Sequence, residues 1–313
     1  MALREHSRGT LKNSALGFTR ISPATNVVFN AIVVILALIC IVPMLLVVSI
    51  SFSAEEALRE YGYRLIPRSF SLEGYTYLFR QRGTILAALG MSVVVTGMGT
   101  VLGVVLNALL GYVLSRREYR LQKFFVWFVF IPMIFNGGLV SSYFIVAQFL
   151  HLKDSIWVLI VPLAVSSYNV ILCKTFFRAT IPDSLIESAK MDGASQLTIF
   201  FKIVFPLSLP VLATIALFLS FGYWNDWFTS MLYIDNPALF TLQAYLNRLL
   251  ADINFLAQNA ALLGVSQAQL LASMPKEAAR MAIVVVAVLP IACAYPFFQR
   301  YFVSGLTVGA VKG

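Results

Sequence analysis

Apolar residues occur along this chain in long continuous runs, not in the two-residue alternation of a half-buried strand or the narrow stripe of a surface helix. Val27–Phe52 and Thr84–Ser115 contain no Asp, Glu, Lys or Arg at all. A hydrocarbon core of about 30 Å is crossed by about 20 apolar residues in helix, so each run is long enough to span. Four more segments have the same character: Phe124–Phe144, which holds Asn136-Gly137-Gly138; Ser155–Cys173; Leu207–Tyr233, interrupted only by Asp226; and Met281–Phe302, which reaches Arg300 at its end. The pattern predicts an all-α integral membrane protein with six transmembrane helices. The first run is too long for a cleavable signal, whose apolar core is about 7–15 residues, and reads as an uncleaved start-transfer helix.

Composition narrows the class. Of 313 residues, 59% are hydrophobic and 12% charged, with a mean hydropathy of +0.83. Soluble domains carry about 25% charged residues. Half that fraction cannot cover a water-exposed surface of this size, which excludes an ordinary soluble enzyme, a disordered chain and a disulfide-rich secreted scaffold.

The net charge of +9 reads as an orientation signal rather than a nucleic-acid surface. With the N-terminus placed in the cytoplasm, the inside segments are residues 1–26, 116–123, 174–206 and 300–313. They hold 14 of the 23 Lys and Arg, as the positive-inside rule requires of an N-in, C-in topology. The external loop 53–83 argues the other way, with Arg59, Arg64, Arg68, Arg80 and Arg82. The domain plan is a cytoplasmic segment 1–26, a six-helix transmembrane domain 27–303 with external loops 53–83 and 234–280, and a cytoplasmic tail 304–313.

Catalytic signatures are missing. The sequence has no phosphate-cradling G-x-x-x-x-G-K-[ST] and no H-E-x-x-H. Cys40, Cys173 and Cys293 fall in different spans, and His6 and His151 lie on opposite sides of the expected membrane, so no metal site is expected. An intramembrane hydrolase needs a nucleophile and a base together, and no histidine lies in a span. An ion-coupled secondary transporter is the rival transport class, but the inverted repeats that would mark it are not visible.

The loop 176–206 between spans four and five carries the most information. Read locally it is a helix–turn–helix. Pro182 starts a helix, Ser184 and Glu187 have capping-box spacing, Gly193 supplies a left-handed turn, and Ser195 caps a second helix that Pro206 ends. A plain connector between helices needs about 2–8 residues. Two short helices with Leu185, Ile186, Ala189, Ile199 and Phe200 among charges point to docking on the cytoplasmic side.

These residues also resemble a known family. Permease subunits of binding-protein-dependent ABC importers carry E-A-A, three residues, G, nine residues, I-x-L-P in this loop. Here the pattern reads Glu187-Ser188-Ala189, Gly193 and Ile203-Val204-Phe205-Pro206, with Asp192-Gly193-Ala194 similar to the family's D-G-A. Ser188 and Phe205 are mild departures. Tyr223-Trp224-Asn225-Asp226-Trp227 and the ending Gly309-Ala310-Val311-Lys312-Gly313 resemble the carbohydrate-uptake, maltose-permease-like branch, nearest the LplC-type permeases.

The resemblance implies a non-catalytic half of a translocation pathway for a carbohydrate, an oligosaccharide in this branch, in the bacterial cytoplasmic membrane. Its partners would be a second, different permease chain, a cytoplasmic ATPase dimer that binds ATP and Mg, an extracytoplasmic solute-binding protein and membrane lipid. No nucleic acid and no cofactor in this chain are implied. Glu187, Ser188, Ala189, Asp192, Gly193, Ala194, Ile203 and Pro206 would couple to the ATPase, the capping box being the alternative role for Glu187. Asn236–Pro275 would meet the binding protein, and Thr307–Gly313 would reach the ATPase interface.

Tyr223, Trp224, Asn225, Asp226 and Trp227 are the candidate substrate pathway. Aromatic faces beside amide and carboxylate groups suit a sugar. A carboxylate at the bilayer centre is costly, so Asp226 must face a polar cavity, a partner or the membrane interface. Asn107 and Asn169 read as interhelical hydrogen-bonding groups, and Gly99, Gly103 and Gly111 as a close-packing face.

Overall fold

The computed structural model describes residues 23–259 and 276–310. Every regular element among them is helical, and the one β-contact is an isolated bridge between Ser53 and Phe70. The basic residues of segment 1–22, the stretch 260–275 of the expected docking loop and the last residues of the tail, 311–313, lie outside the described residues.

The helices are α1 (Pro23–Ser51), α2 (Glu55–Tyr61), α3 (Glu73–Arg80), α4 (Arg82–Ser115), α5 (Gln122–Ile134) and α6 (Gly138–Tyr143), which continues as a π-turn to Phe149. After them come α7 (Ile156–Ala164), α8 (Ser167–Thr180), α9 (Asp183–Met191), α10 (Gln196–Ile199), α11 (Leu209–Asn225), α12 (Phe228–Tyr233), α13 (Leu242–Asn259) and α14 (Lys276–Ala310). By length and composition α4 and residues Ala24–Ser51 of α1 are single spans, and two bent pairs each have the character of one more: α7 with α8, bent by 46°, and Gln196–Leu207 with α11, bent by 85°. The expected third span is divided into α5 and α6 at Phe135–Gly137, beside the Gly138 that adopts φ +83°.

Helix α4 is the centre of the bundle, packed against α7, α8 and α11; α14 closes the other side against α1, α3 and α11. Apolar burial gives little drive to helix association where lipid is equally apolar, so close approach and hydrogen bonds must hold the bundle. Gly99, Gly103 and Gly111 line one face of α4 and let its neighbours in. A Cβ at Gly111 would stand 2.4 Å from the Cys173 Cβ of α8 and 3.0 Å from the Lys174 backbone nitrogen. One at Gly99 would lie 2.4 Å from the ring of Tyr223 on α11.

Asn107, fully buried on α4, ties the kinked pair α7–α8 to this centre. Its amide nitrogen donates to the Gly103 carbonyl at 2.6 Å and the Ala164 carbonyl at 2.7 Å, and its oxygen accepts from the Ser166 N–H at 3.1 Å. The side chain thereby satisfies the backbone groups that the break at Val165 exposes.

By contrast α1 presents Val27, Val33, Ile39 and Leu45 outward, each more than half exposed, and none of its most apolar stretch is buried within the chain.

Candidate functional site

The helix–turn–helix forms at one end of the bundle. Its first helix, α9, begins at Asp183, two residues earlier than a Ser184 N-cap would set it. Pro182 is the N-cap, with extended ψ of 139° and no side-chain hydrogen bond, and the Ser184 carbonyl instead accepts from the Ser188 hydroxyl at 2.9 Å. The Ser184–Glu187 box is therefore not made, and Glu187 is exposed, with no hydrogen bond or ion pair among the described residues. The loop does turn at Gly193, whose φ is +78°, and Ser195 caps α10 by accepting from the Thr198 N–H at 3.2 Å.

Pro206 does not end the second helix. A π-turn at Phe200–Val204 precedes it, the helix continues through Leu207, and the break falls at the buried Ser208, after which the chain swings by 85° into α11. Wider backbone pairing just ahead of a proline fits its missing N–H.

The loop has an inner and an outer face. Ile186, Ile199, Phe200 and Val204 are buried against the α4–α8 core, with Ala189, Ala194 and Ile203 packed beside them. Glu187, Ser188, Asp192, Gly193 and Pro206 lie outside, together with Met191 at 88% exposure and Leu197 at 64%.

Three side-chain links fasten the loop to the end of α4 and the turn after it. Arg116 donates to Asp183 at 3.1 Å, Lys190 pairs with Glu118, and the Tyr112 hydroxyl donates to the Gln196 side-chain Oε1 at 3.0 Å. The hydrogen bond and the charge of Lys190 hold the Glu118 carboxyl below its ordinary pKa. Arg116 also lies over the Tyr112 ring, 5.4 Å from its centroid. None of these fasteners was among the expected site residues; the basic run Arg116–Lys123 reads from sequence only as a topology signal.

The aromatic cluster of span five is divided. Tyr223 and Trp224 are buried. The Tyr223 hydroxyl donates to the Ile160 carbonyl of α7 at 2.7 Å, and the Trp224 indole N–H donates to the Ala287 carbonyl of α14 at 3.3 Å. Both knit helices together, although Tyr223 also borders a cavity of about 430 Å³ with Ser166, Tyr168, Asn169 and Gly222. Asn225 is exposed and donates to the Phe221 carbonyl at 2.9 Å.

Asp226 follows the last residue of α11. Its carboxylate accepts from the Thr229 N–H at 3.1 Å, in the first turn of α12. The carboxylate expected as an interruption of span five thus satisfies a break between two helices. Trp227 is 39% exposed and lines a second cavity beyond that break.

A bundle of kinked apolar helices, centred on a glycine-faced helix and carrying a fastened polar helix–turn–helix at one end, defines a membrane-embedded transport component. A family model described as "Binding-protein-dependent transport system inner membrane component" matches residues 99–308, and the chain belongs to that family. Among its relatives, the polygalacturonan/rhamnogalacturonan transport system permease protein YtcP of Bacillus subtilis is 39% identical over 277 residues, 88% of this chain and 94% of that protein. Protein LplC of the same organism is 34% identical over 97% of this chain and 98% of its own. The fold is similar to a chain in the crystal structure of a bacterial ABC transporter involved in the import of the acidic polysaccharide alginate, with a TM-score of 0.76, 26% identity, and coverage of 90% of this chain and 99% of that one.

Proposed function

We propose that this chain is one of two permease halves of an ATP-driven importer of oligosaccharides, oriented N-in and C-in with six spans, and that it hydrolyses nothing itself. The observation that carries the reading is the fastened loop. Its outer face offers the Glu187 carboxylate and the apolar Met191 and Leu197 to a partner, while its inner face is packed and ion-paired to α4. ATP with Mg would be bound by a separate cytoplasmic ATPase dimer, with α9 seated on it.

ATPase closure would push the loop as a unit. The push would reach α11 through the bend at Ser208 and α4 through Asp183 and Lys190, opening the pathway between this chain and a second permease. A solute-binding protein would deliver the sugar at the opposite end. The names of the relatives, a polygalacturonan/rhamnogalacturonan permease and an alginate importer, support an oligosaccharide cargo that bears carboxylates.

The test is capture and uptake in the native membrane. Met191→Cys, treated with a short thiol crosslinker, is expected to trap a nucleotide-binding chain, and deletion of that chain's gene is expected to abolish sugar uptake. Uptake that persists after the deletion and collapses when the ion gradient is dissipated would overturn the reading in favour of a secondary transporter.

A further inference from the structure

We propose that the cavity between α12 and α13 is a subsite for the carboxylate of a uronic-acid residue, with Arg248 as its anion-binding group and Trp227 as its stacking face. This inference rests on the carbohydrate-permease reading above and names the cargo chemistry that one part of the chain would select. The cavity lies at the end of the bundle opposite the helix–turn–helix, just beyond the Asp226 break. Its volume is about 380 Å³, within the range of small-ligand sites. Trp227, Asn247 and Arg248 contribute its aromatic, amide and cationic groups, and Met231, Ile234 and Phe240 its apolar wall.

The charges leave Arg248 uncompensated among the described residues. Asp235 is the carboxylate on the cavity wall, and Lys153 pairs with it at 2.9 Å. Asp252, one turn along α13 from Arg248, makes no ion pair with it. The Arg248 guanidinium lies 5.5 Å from the centroid of the Phe240 ring. Stacking of this kind orients the planar fork while leaving its N–H edge free for a carboxylate, which guanidinium binds in bidentate fashion.

The wall is also preset. Asp154, held at φ +56°, accepts from the Asp235 and Asn236 N–H groups at 3.1 and 2.9 Å and donates its own N–H to the Tyr233 carbonyl at 3.0 Å. A neutral sugar would use Trp227 and Asn247 but offer Arg248 only hydroxyl acceptors, with no charge to balance its own. A uronate answers all three groups, which is why the acid form is the expected ligand.

The experiment uses cells carrying the whole transporter and compares uptake of labelled trigalacturonate, its fully methyl-esterified form and a neutral oligosaccharide of equal length. The variants are Arg248→Gln and Arg248→Lys, with membrane abundance of the chain measured for each. Wild type is expected to prefer the free acid. Arg248→Gln is expected to reduce acid uptake by about tenfold, the scale of one charge-assisted hydrogen bond, with little change for the ester, and Arg248→Lys is expected to recover part of the loss.

An equal loss for acid and ester in Arg248→Gln would overturn the proposal and assign Arg248 to the docking surface for the binding protein. Undiminished acid uptake in Arg248→Gln would overturn it as well. Uptake of the neutral oligosaccharide alone by wild type would remove the uronate ligand while leaving the permease reading intact. Absence of uptake for every carbohydrate would instead sink the permease reading on which this one depends.

Discussion

Arg116 reaches across 67 residues of sequence to Asp183, its guanidinium nitrogen 3.1 Å from the carboxylate oxygen. With Lys190 on Glu118 beside it, this contact fastens α9 to the end of α4 and the turn after it. Exposed ion pairs contribute little to stability, so the consequence expected of them is mechanical. Asp183→Asn combined with Glu118→Gln is expected to leave membrane abundance unchanged, to raise hydrogen exchange across residues 183–199, and to lower sugar transported per ATP hydrolysed. Unchanged exchange and unchanged stoichiometry would show that the pairs transmit nothing.

The pH dependence of that link has a definite sign. Lys190 lowers the Glu118 pKa in the folded chain. A lowered carboxylate contributes above its unfolded pKa, and the contribution is lost as pH falls through the folded value. Protection of the loop should therefore be equal at about pH 6 and about pH 8 and decline only below the ordinary glutamate range. Hydrogen exchange at a series of pH values, corrected for intrinsic rates, checks this.

Gly111 sets how closely α4 and α8 approach. Gly111→Ala forces a methyl group against the Cys173 Cβ and the Lys174 backbone, and overpacking of this kind costs about 1–3 kcal/mol. Gly90→Ala on the same helix meets nothing within 4 Å and should be neutral or stabilising, by about 0.5–1 kcal/mol from helix propensity. Thermal unfolding in detergent is expected to place Gly111→Ala below wild type and Gly90→Ala at or above it.

Asn107 makes three hydrogen bonds at the α7–α8 break. Asn107→Leu keeps the bulk and leaves the Ser166 N–H and the Ala164 carbonyl without it, at about 1–3 kcal/mol for each group left unsatisfied. A lower melting temperature is expected, with faster proteolysis near residues 164–167. An unchanged melting temperature would mean that water or another group replaces the side chain.

Gly193 separates backbone conformation from space. Its φ is +78°, and a Cβ added there would meet nothing within 4 Å. A substitution therefore costs only the left-handed strain, about 1–2 kcal/mol for an ordinary residue. Gly193→Asn should retain most uptake and Gly193→Val should lose most of it at equal membrane abundance. Equal uptake in both would dissociate the turn from coupling.

Local chemistry was legible in advance where it depends on neighbours in sequence. The left-handed turn at Gly193 and the cap at Ser195 are both present, because turns and caps involve residues a few positions apart. The same local reasoning started α9 at Pro182, as observed, but added a Ser184–Glu187 capping box that is not made and ended the second helix at Pro206. With Pro182 as the N-cap, Ser184 already lies inside the helix and cannot cap it, and a π-turn ahead of Pro206 absorbs the proline. The aromatic cluster Tyr223–Trp227 looked uniform in sequence. Packing divides it, since Tyr223 and Trp224 each find a backbone carbonyl on another helix while Trp227 does not.

The sequence by itself determined that this chain is helical and apolar enough for a membrane, where its helix–turn–helix lies, and which family motif that loop carries. Those properties reside in hydrophobic run lengths, in turn chemistry and in the spacing of a motif. The tertiary structure alone decided that Arg116 and Glu118 hold the loop, that Asn107 bridges a broken helix, and that Arg248 and Trp227 line one cavity beside a neutralised Asp235. Each of these relationships joins residues on different elements. Hydropathy and local propensity carry no record of such pairings, because they arise only when close packing of glycine-faced helices fixes which side chains meet.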